Sequence, residues 1–317
     1  MNIELVLRRM LQTVVVLIGV SVVVFLIMYA APGDPVVLML GSDATPEQAE
    51  LFRSRLGLDQ PAHVQYLRWM GEVLQGNLGT SLYSRRPVSE EILPRFANTA
   101  ILTVAALVIA LGLGMILGIL GALHSGTPLD RILMIGSVAG WSMPPFWLGL
   151  VLIIVFSVQL GWFPTGGMYV IGGDRSLSEL ARHLVLPAVT LGARHMSYIA
   201  RLTRASMLEV LGQDYIRTAR AKGLVAAVVI LRHALRNSLI PVMTVAGVTI
   251  GRLLGGAVIV ESVFAWPGLG SLIVRGISNR DFPLVQGAIL FSAFVFVMVN
   301  FLVDLLYTVV DPRIRYT

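Results

Sequence analysis

Six apolar stretches of roughly twenty residues, the length a helix needs to cross the hydrocarbon core of a bilayer, set the first limit on this chain. They lie at about 10–30, 99–123, 132–160, 185–207, 238–260 and 284–308. Hydrocarbon offers no partner to a backbone amide, so stretches of this kind satisfy their own hydrogen bonds as helices. The composition agrees. Hydrophobic residues make up 56% of the 317 and charged residues 13%, against roughly 45–50% and 25% in ordinary soluble domains. The sequence predicts an all-α integral membrane protein with six transmembrane helices. With no cysteine, it has neither a disulfide framework nor a thiolate metal site.

Charge placement orients the helices. The net charge of +6 reads as positive-inside topology rather than as a nucleic-acid surface. Arg8 and Arg9 precede the first stretch, and Pro32 follows it, a pattern of a retained anchor more than of a cleaved signal peptide. Six crossings then place both termini in the cytoplasm, the second with Arg313 and Arg315. The same count puts 208–237 there, with Arg217, Arg220, Lys222, Arg232 and Arg236. The outer loop 161–184 balances Arg175 and Arg182 with Asp174 and Glu179. Three regions follow: 1–31, a cytoplasmic start and first transmembrane helix; 32–98, a polar insertion outside the cytoplasm; and 99–317, a five-helix core. The insertion carries helix signals from Pro46 and around Val64–Leu74, and with Phe52, Tyr66 and Trp69 it has enough apolar area for a small folded cap.

Within the membrane, Gly112, Gly114, Gly118 and Gly121 in the second stretch and Gly247, Gly251, Gly255 and Gly256 in the fifth favour close helix approach. Pro144 and Pro145 interrupt the third, where freed carbonyls call for a neighbouring wet or protein-lined space. Intramembrane charge is sparse: Arg194, His195 and Arg201 in the fourth stretch, Arg252 in the fifth, Asp304 in the sixth and Glu261 at an outer end. Arg201, Arg204 and Asp304 stand near cytoplasmic ends and can snorkel, and His195 reads as a packing residue. Arg194 and Arg252 sit deeper, where they either line a wet path or pair with acids. No set of midplane carboxylates suggests an ion-coupled carrier, although a self-sufficient carrier or channel stays open as another class. There is no GxxxxGK[ST], no HExxH and no nucleophile triad, so no catalytic residue, metal site or cofactor is assigned to the chain, and energy has to come from a partner.

One polar stretch stands out from this background. In DYIRTARAKGL, residues 214–224, Asp214 is placed to cap a helix, Tyr215 to Lys222 make two turns, and Gly223 suits its end. Arg217 and Arg220 share a face, while Thr218, Ala219 and Ala221 keep the body slim enough to enter a groove on another protein.

Residues 209–241, EVLGQDYIRTARAKGLVAAVVILRHALRNSLIP, resemble the cytoplasmic coupling loop of ABC importer permeases of the dipeptide/oligopeptide/nickel class. APGDP at 31–35, LGLDQP at 56–61, GNLGTS at 76–81, ANTA at 97–100, ESVFAWPGLG at 261–270 and DPRIRY at 311–316 extend the likeness over nearly the whole chain. The resemblance implies the type I importer permease fold and a place in the bacterial cytoplasmic (inner) membrane. It also implies four kinds of partner: a second, homologous permease, two ATPase subunits that bind ATP and Mg, a periplasmic or extracellular substrate-binding protein, and a peptide substrate. Under it, Asp214, Tyr215, Ile216, Arg217, Thr218, Ala219, Arg220, Ala221, Lys222 and Gly223 form the ATPase-docking coupling helix, and 32–98 forms the periplasmic cap. Pro144, Arg194, Gly247, Gly251, Arg252, Gly255 and Glu261 are candidates for the translocation path or gate. Glutathione fits the same pattern, and a nickel or other metal complex is the alternative cargo. The chain departs from broader ABC importers in having Arg217-Thr218-Ala219 at a Glu-Ala-Ala position, Arg236 where proline is common, and the apolar run VAAVVIL at 225–231. That run is too short to span and is expected to lie against the helix bundle or at the bilayer interface.

Overall fold

The computed structural model describes residues 3–30, 45–170, 172–173 and 175–310; the APGDP and DPRIRY motifs, with Arg313 and Arg315, lie outside them. Eleven principal helices are numbered here. They are α1 (Ile3–Ala30), α2 (Pro46–Leu56), α3 (Ala62–Leu74), α4 (Val88–Leu123), α5 (Pro128–Ser142), α6 (Pro145–Leu152), α7 (Leu177–Leu211), α8 (Asp214–Ala221), α9 (Leu235–Val263), α10 (Leu269–Ser278) and α11 (Phe282–Val310). A short lead-in, Ala226–Val228, joins α9 through a π-helical stretch, Val229–Ala234.

Four of the six apolar stretches are single helices long and apolar enough to span a bilayer: Arg8–Ala30, Val88–Leu123, Ala226–Val263 and Phe282–Leu305. The third is a broken span, with α5 and the continuation of α6 to Gln159 bent by 112°. The cause is local. A residue before proline is pushed out of the helical region, and Met143 and Pro144 both precede prolines; both are extended, at ψ 131° and 135°. The fourth stretch lies in α7, whose 35 residues are long enough to cross but whose arginines and histidine make it too polar for a lipid-facing span. Packing explains this departure from simple hydropathy. Helix α7 lies against α5, α6 and α9 and buries residues along its whole length, from His183 to Met207. Its sequence answers to protein neighbours more than to lipid.

The chain divides into two compact units, residues 1–98 with 268–309 and residues 99–267 with 310–317. In the first, α2 begins with a reciprocal capping box between Thr45 and Gln48 and ends at Gly57, whose φ of 70° favours glycine. Helix α3 meets α1 through an aromatic group. The Ser21 and Tyr66 hydroxyls are 2.8 Å apart, and Phe25 meets the Tyr66 ring edge-on with centroids 5.5 Å apart. A separate core joins Val88 and Ile92 of α4, Leu269 and Leu272 of α10, and Leu284 and Ala288 of α11. At its edge Asp281 is buried and accepts hydrogen bonds from Ser81 Oγ at 2.5 Å, Leu82 N at 3.1 Å, Tyr83 N at 3.3 Å and Leu284 N at 3.3 Å. This one carboxylate holds the loop after GNLGTS to the start of α11. At the far end of α11, Asp304 pairs with Arg9 of α1 at 3.2 Å.

The second unit is built on α7. Its main core gathers Leu102, Ala106, Leu186, Leu191, Leu253, Val260, Phe264 and Trp266. Of the second-stretch glycines, Gly114 and Gly118 make the close approach that the sequence suggests, and Gly112 does not. A Cβ at Gly118 would stand 2.5 Å from the Ala200 carbonyl oxygen and 2.6 Å from Thr203 Cβ, and one at Gly114 2.9 Å from Met196 O. Gly192 answers from α7, 2.8 Å from Ala106 O by the same construction. At one end Arg204 of α7 donates to both oxygens of Asp130 at 2.7 Å, a bidentate pair that ties α7 to the first turn of α5.

Two outcomes test this architecture. Gly118→Leu should lower stability by roughly 1–3 kcal/mol, because the obstructing atom is a backbone carbonyl that cannot step aside. Gly112→Ala, at a position open to 4 Å, should leave it unchanged; thermal unfolding of the purified chain in detergent reads both. Asp281→Ala strands four donors and should cost roughly 2–4 kcal/mol, with the segment at 81–84 becoming the first site of limited proteolysis.

Candidate functional site

The candidate coupling segment begins where α7 stops. Gln213, at φ −73° and ψ 150°, is the N-cap of α8, and its side chain makes no capping bond. The expectation that Asp214 caps the helix is therefore corrected. Its backbone is already helical, and a cap must be extended. Its carboxylate instead stands in the first turn, where the helix end favours negative charge, 3.6 Å from Arg217. The helix closes at Lys222, and Gly223 follows at φ 75°, the left-handed conformation that lets the chain turn away at once.

Seating and display are separated on α8. Ile216 and Ala219, one turn apart, are buried among Ala122, Met207, Val229 and Ala234, so the helix is anchored on the ends of α4, α7 and α9's lead-in. The Tyr215 hydroxyl accepts from Asn237 Nδ2 at 2.8 Å. The remaining surface, Asp214, Arg217, Thr218, Arg220, Ala221 and Lys222, is exposed. Of the run 225–231, expected against the bundle or at the bilayer interface, one residue is buried in the bundle. Val229 is buried, but Val225 and Leu231 are 70% and 65% exposed. The π-helical register from Val229 lets few of these side chains reach the core, and the others extend the exposed surface beyond α8.

In the membrane the predicted path residues fall into distinct settings. Pro144 is the exposed N-cap of α6, at the break. Arg194 and Arg252 are exposed, and both stand close enough to His195 to act on its charge. No acid pairs with either among the described residues. An arginine at the bilayer centre costs about 2.5–3.5 kcal/mol on insertion scales, so an aqueous or protein-covered surface is the setting that suits them. Gly251 is buried and Gly247 half-buried, while Gly255 is exposed with nothing within 4 Å of a Cβ built there. The glycine stripe of α9 thus packs within the chain over part of its length and lies open at Gly255. Glu261 is fully buried and accepts from Thr99 Oγ1 at 2.6 Å; its side chain joins α9 to α4 rather than facing solvent. Beyond it the ESVFAWPGLG segment turns at Ala265, φ 47°, and the Phe264 carbonyl accepts from Gly167 N at 2.8 Å. A Cβ at Gly166 would come within 2.5 Å of that oxygen, so the outer loop needs glycine there.

Residues not singled out in the sequence complete the picture. Trp141, just before the break, carries the Arg194 guanidinium at 4.7 Å and that of Arg201 at 5.3 Å from its ring centroid, with Tyr198 at 5.8 Å. The 194, 198 and 201 spacing marks one helix face and was legible; its meeting with Trp141 was not. Asp130 and Asp281 were missed for the same reason, because their partners are 74 and about 200 residues away.

Comparison with known proteins gives the family. Residues 110–316 match the model of the binding-protein-dependent transport system inner membrane component, and residues 2–103 match that of its N-terminal membrane component. The chain is 46% identical over 311 residues to the glutathione transport system permease protein GsiC of Salmonella paratyphi A, covering 98% of both. It is 42% identical over 312 residues to the oligopeptide transport system permease protein AppB of Bacillus subtilis, covering 98% of this chain and 99% of the relative. Among solved structures, the inward-facing MetNI methionine ABC transporter aligns with 69% of this chain and 96% of its own at a TM-score of 0.56 and 18% identity. An amino acid ABC transporter aligns with 71% and 95% at 0.52 and 16%. The family model covers residues 110–316, and the chain belongs to the binding-protein-dependent transport system inner membrane component family of ABC permeases.

Proposed function

We propose that this chain is the permease subunit of an ATP-driven importer for dipeptides or short oligopeptides, glutathione among them. It would work with a second, homologous permease, two ATPase subunits holding ATP and Mg, and an extracytoplasmic substrate-binding protein. The observation that carries the coupling part is the division of α8, with Ile216 and Ala219 buried in the membrane unit and Arg217, Arg220 and Lys222 presented outward. A helix so anchored passes a push on its exposed face to the ends of α4, α7 and α9. The substrate class is supported by identity to glutathione and oligopeptide permeases along 98% of the chain.

In this reading the chain supplies the path and the lever, and ATP is hydrolysed on the partners. ATP binding draws the ATPases together and moves each docked α8, and the membrane helices alternate between outward and inward access. The ion pair of Arg9 with Asp304 supports both termini lying on one side, the cytoplasmic side by the basic residues near them. Residues 32–98 then face the periplasm as the cap, with α2 and α3 as its folded parts.

Co-purification from the native membrane tests the assembly: a second permease and ATPases should accompany the chain, and hydrolysis should rise when the binding protein is added. Arg217→Glu should cut binding-protein-stimulated hydrolysis at least tenfold while the permease stays folded. Ile216→Asp, which buries a charge under α8, should uncouple hydrolysis from uptake or release the ATPases altogether. Unimpaired uptake by both variants would remove the docking role. Uptake by the isolated chain without ATP would replace the importer with a self-sufficient carrier.

A further inference from the structure

Two cations of α7 in the second unit form a group whose negative complement is missing. Arg194 stands at the midpoint of α7, seventeen residues from Leu177 and seventeen from Leu211. At 1.5 Å per residue this is about 25 Å from either helix end. Arg194 and Arg201 lie over one indole, Trp141. A ring quadrupole orients a guanidinium without neutralising it, so the pair keeps both charges. Arg252 of α9 carries a further charge that, like that of Arg194, acts on His195. Among the described residues no carboxylate pairs with any of the three, whereas Arg204, three residues on, has a bidentate one in Asp130.

The surroundings are built for a ligand more than for packing. Arg194 and Tyr198 are exposed, and Arg201 and Trp141 are half-buried. Trp141 is brought onto this face because Gly140 lets α5 approach Ser197, whose Oγ would be 2.6 Å from a Cβ at that position. Three residues later the span breaks at Pro144, and irregular backbone at membrane depth is tolerated where it borders protein or water. The group therefore combines unpaired guanidiniums, two aromatic faces and a break in the helix wall.

We propose that Arg194 and Arg201, stacked on Trp141 beside Tyr198, form an anion-binding station in the translocation path for a carboxylate of the transported peptide. The inference rests on the peptide-permease reading above and deepens it. A guanidinium fork matches a carboxylate in two hydrogen bonds, and bringing that charge among the arginines relieves their mutual repulsion. The aromatic faces give the adjoining side chain apolar contact of low selectivity, which suits a path shared by many peptides. Binding has to be weak enough for release, and stacking on Trp141 serves this by keeping the guanidiniums oriented while the station is empty.

The test uses the whole complex, with its second permease, ATPases and binding protein, in phosphatidylcholine vesicles. Uptake of a dipeptide and of its C-terminal amide is compared in the wild type, Arg194→Gln, Arg194→Lys and Arg201→Gln. Each variant is expressed relative to wild type for the same peptide, which cancels the binding protein's own preference. Equilibrium titration of the complex without binding protein gives the same comparison for an amide that the binding protein refuses. The glutamine variants should lose roughly tenfold with the free acid and little with the amide, with binding-protein-stimulated hydrolysis retained and the lysine variant intermediate. Equal losses for both peptides, no loss, or a loss that appears only when anionic lipid is added would overturn the station. A wild-type complex that hydrolyses ATP with its binding protein yet takes up neither peptide would overturn the peptide reading itself, and the station with it, before any arginine is changed.

Discussion

A helix in hydrocarbon gains little by burying leucine against leucine, because lipid tails are as apolar as its neighbours. Association then depends on dispersion contacts at short range and on the few polar bonds that no solvent competes for. The second unit follows this constraint at each principal contact. Gly114 and Gly118 bring α4 against the backbone of α7, Gly192 answers from α7, and Gly140 does the same for α5. Because backbones touch, side chains of one helix reach past the next, and Asp130 can grip Arg204 in two hydrogen bonds. A methyl group at Gly118 would undo that spacing.

The same constraint explains how a lever can be fixed to such a scaffold. Helix α8 has only eight residues, too few to be stable alone, so its form depends on the pocket that receives Ile216 and Ala219. That pocket is made by the ends of three long helices. In the proposed coupling role, force on the exposed arginines would be delivered to the bundle through packed side chains, where interiors are close-packed and yield little. The left-handed Gly223 ends the lever sharply and sends the chain back toward α9.

Polar groups mark where the apolar rule is set aside. Glu261, Asp281 and Asp130 are buried, and each is satisfied by hydrogen bonds that join distant parts of its own unit. Arg194 and Arg201 have an indole beside them instead of an acid. Buried acids with partners hold the fold; guanidiniums with only aromatic support are what the proposed station would use.

Much of this was legible in the sequence. Spans of about twenty apolar residues, the proline pair at 144–145, the helix signals after Pro46 and around Val64–Leu74, and the short basic helix ending at Gly223 follow from backbone hydrogen bonding and local sterics, which need only neighbours along the chain. Even there, the choice of Gln213 over Asp214 as cap depended on how α7 ends. What only the tertiary structure decided was partnership. Hydropathy alone misjudges α7, which buries residues from His183 to Met207 against its neighbours while its arginines stay exposed or half-buried. The sequence placed Gly118 on a small-residue stripe, yet the carbonyl it approaches was unknown. It placed Arg194 in the membrane, yet whether an acid or an indole stood beside it depended on α5, more than fifty residues earlier. Local rules determine which segments are helices; the contacts that give a buried charge its meaning are made between residues far apart in sequence, and only packing brings them together.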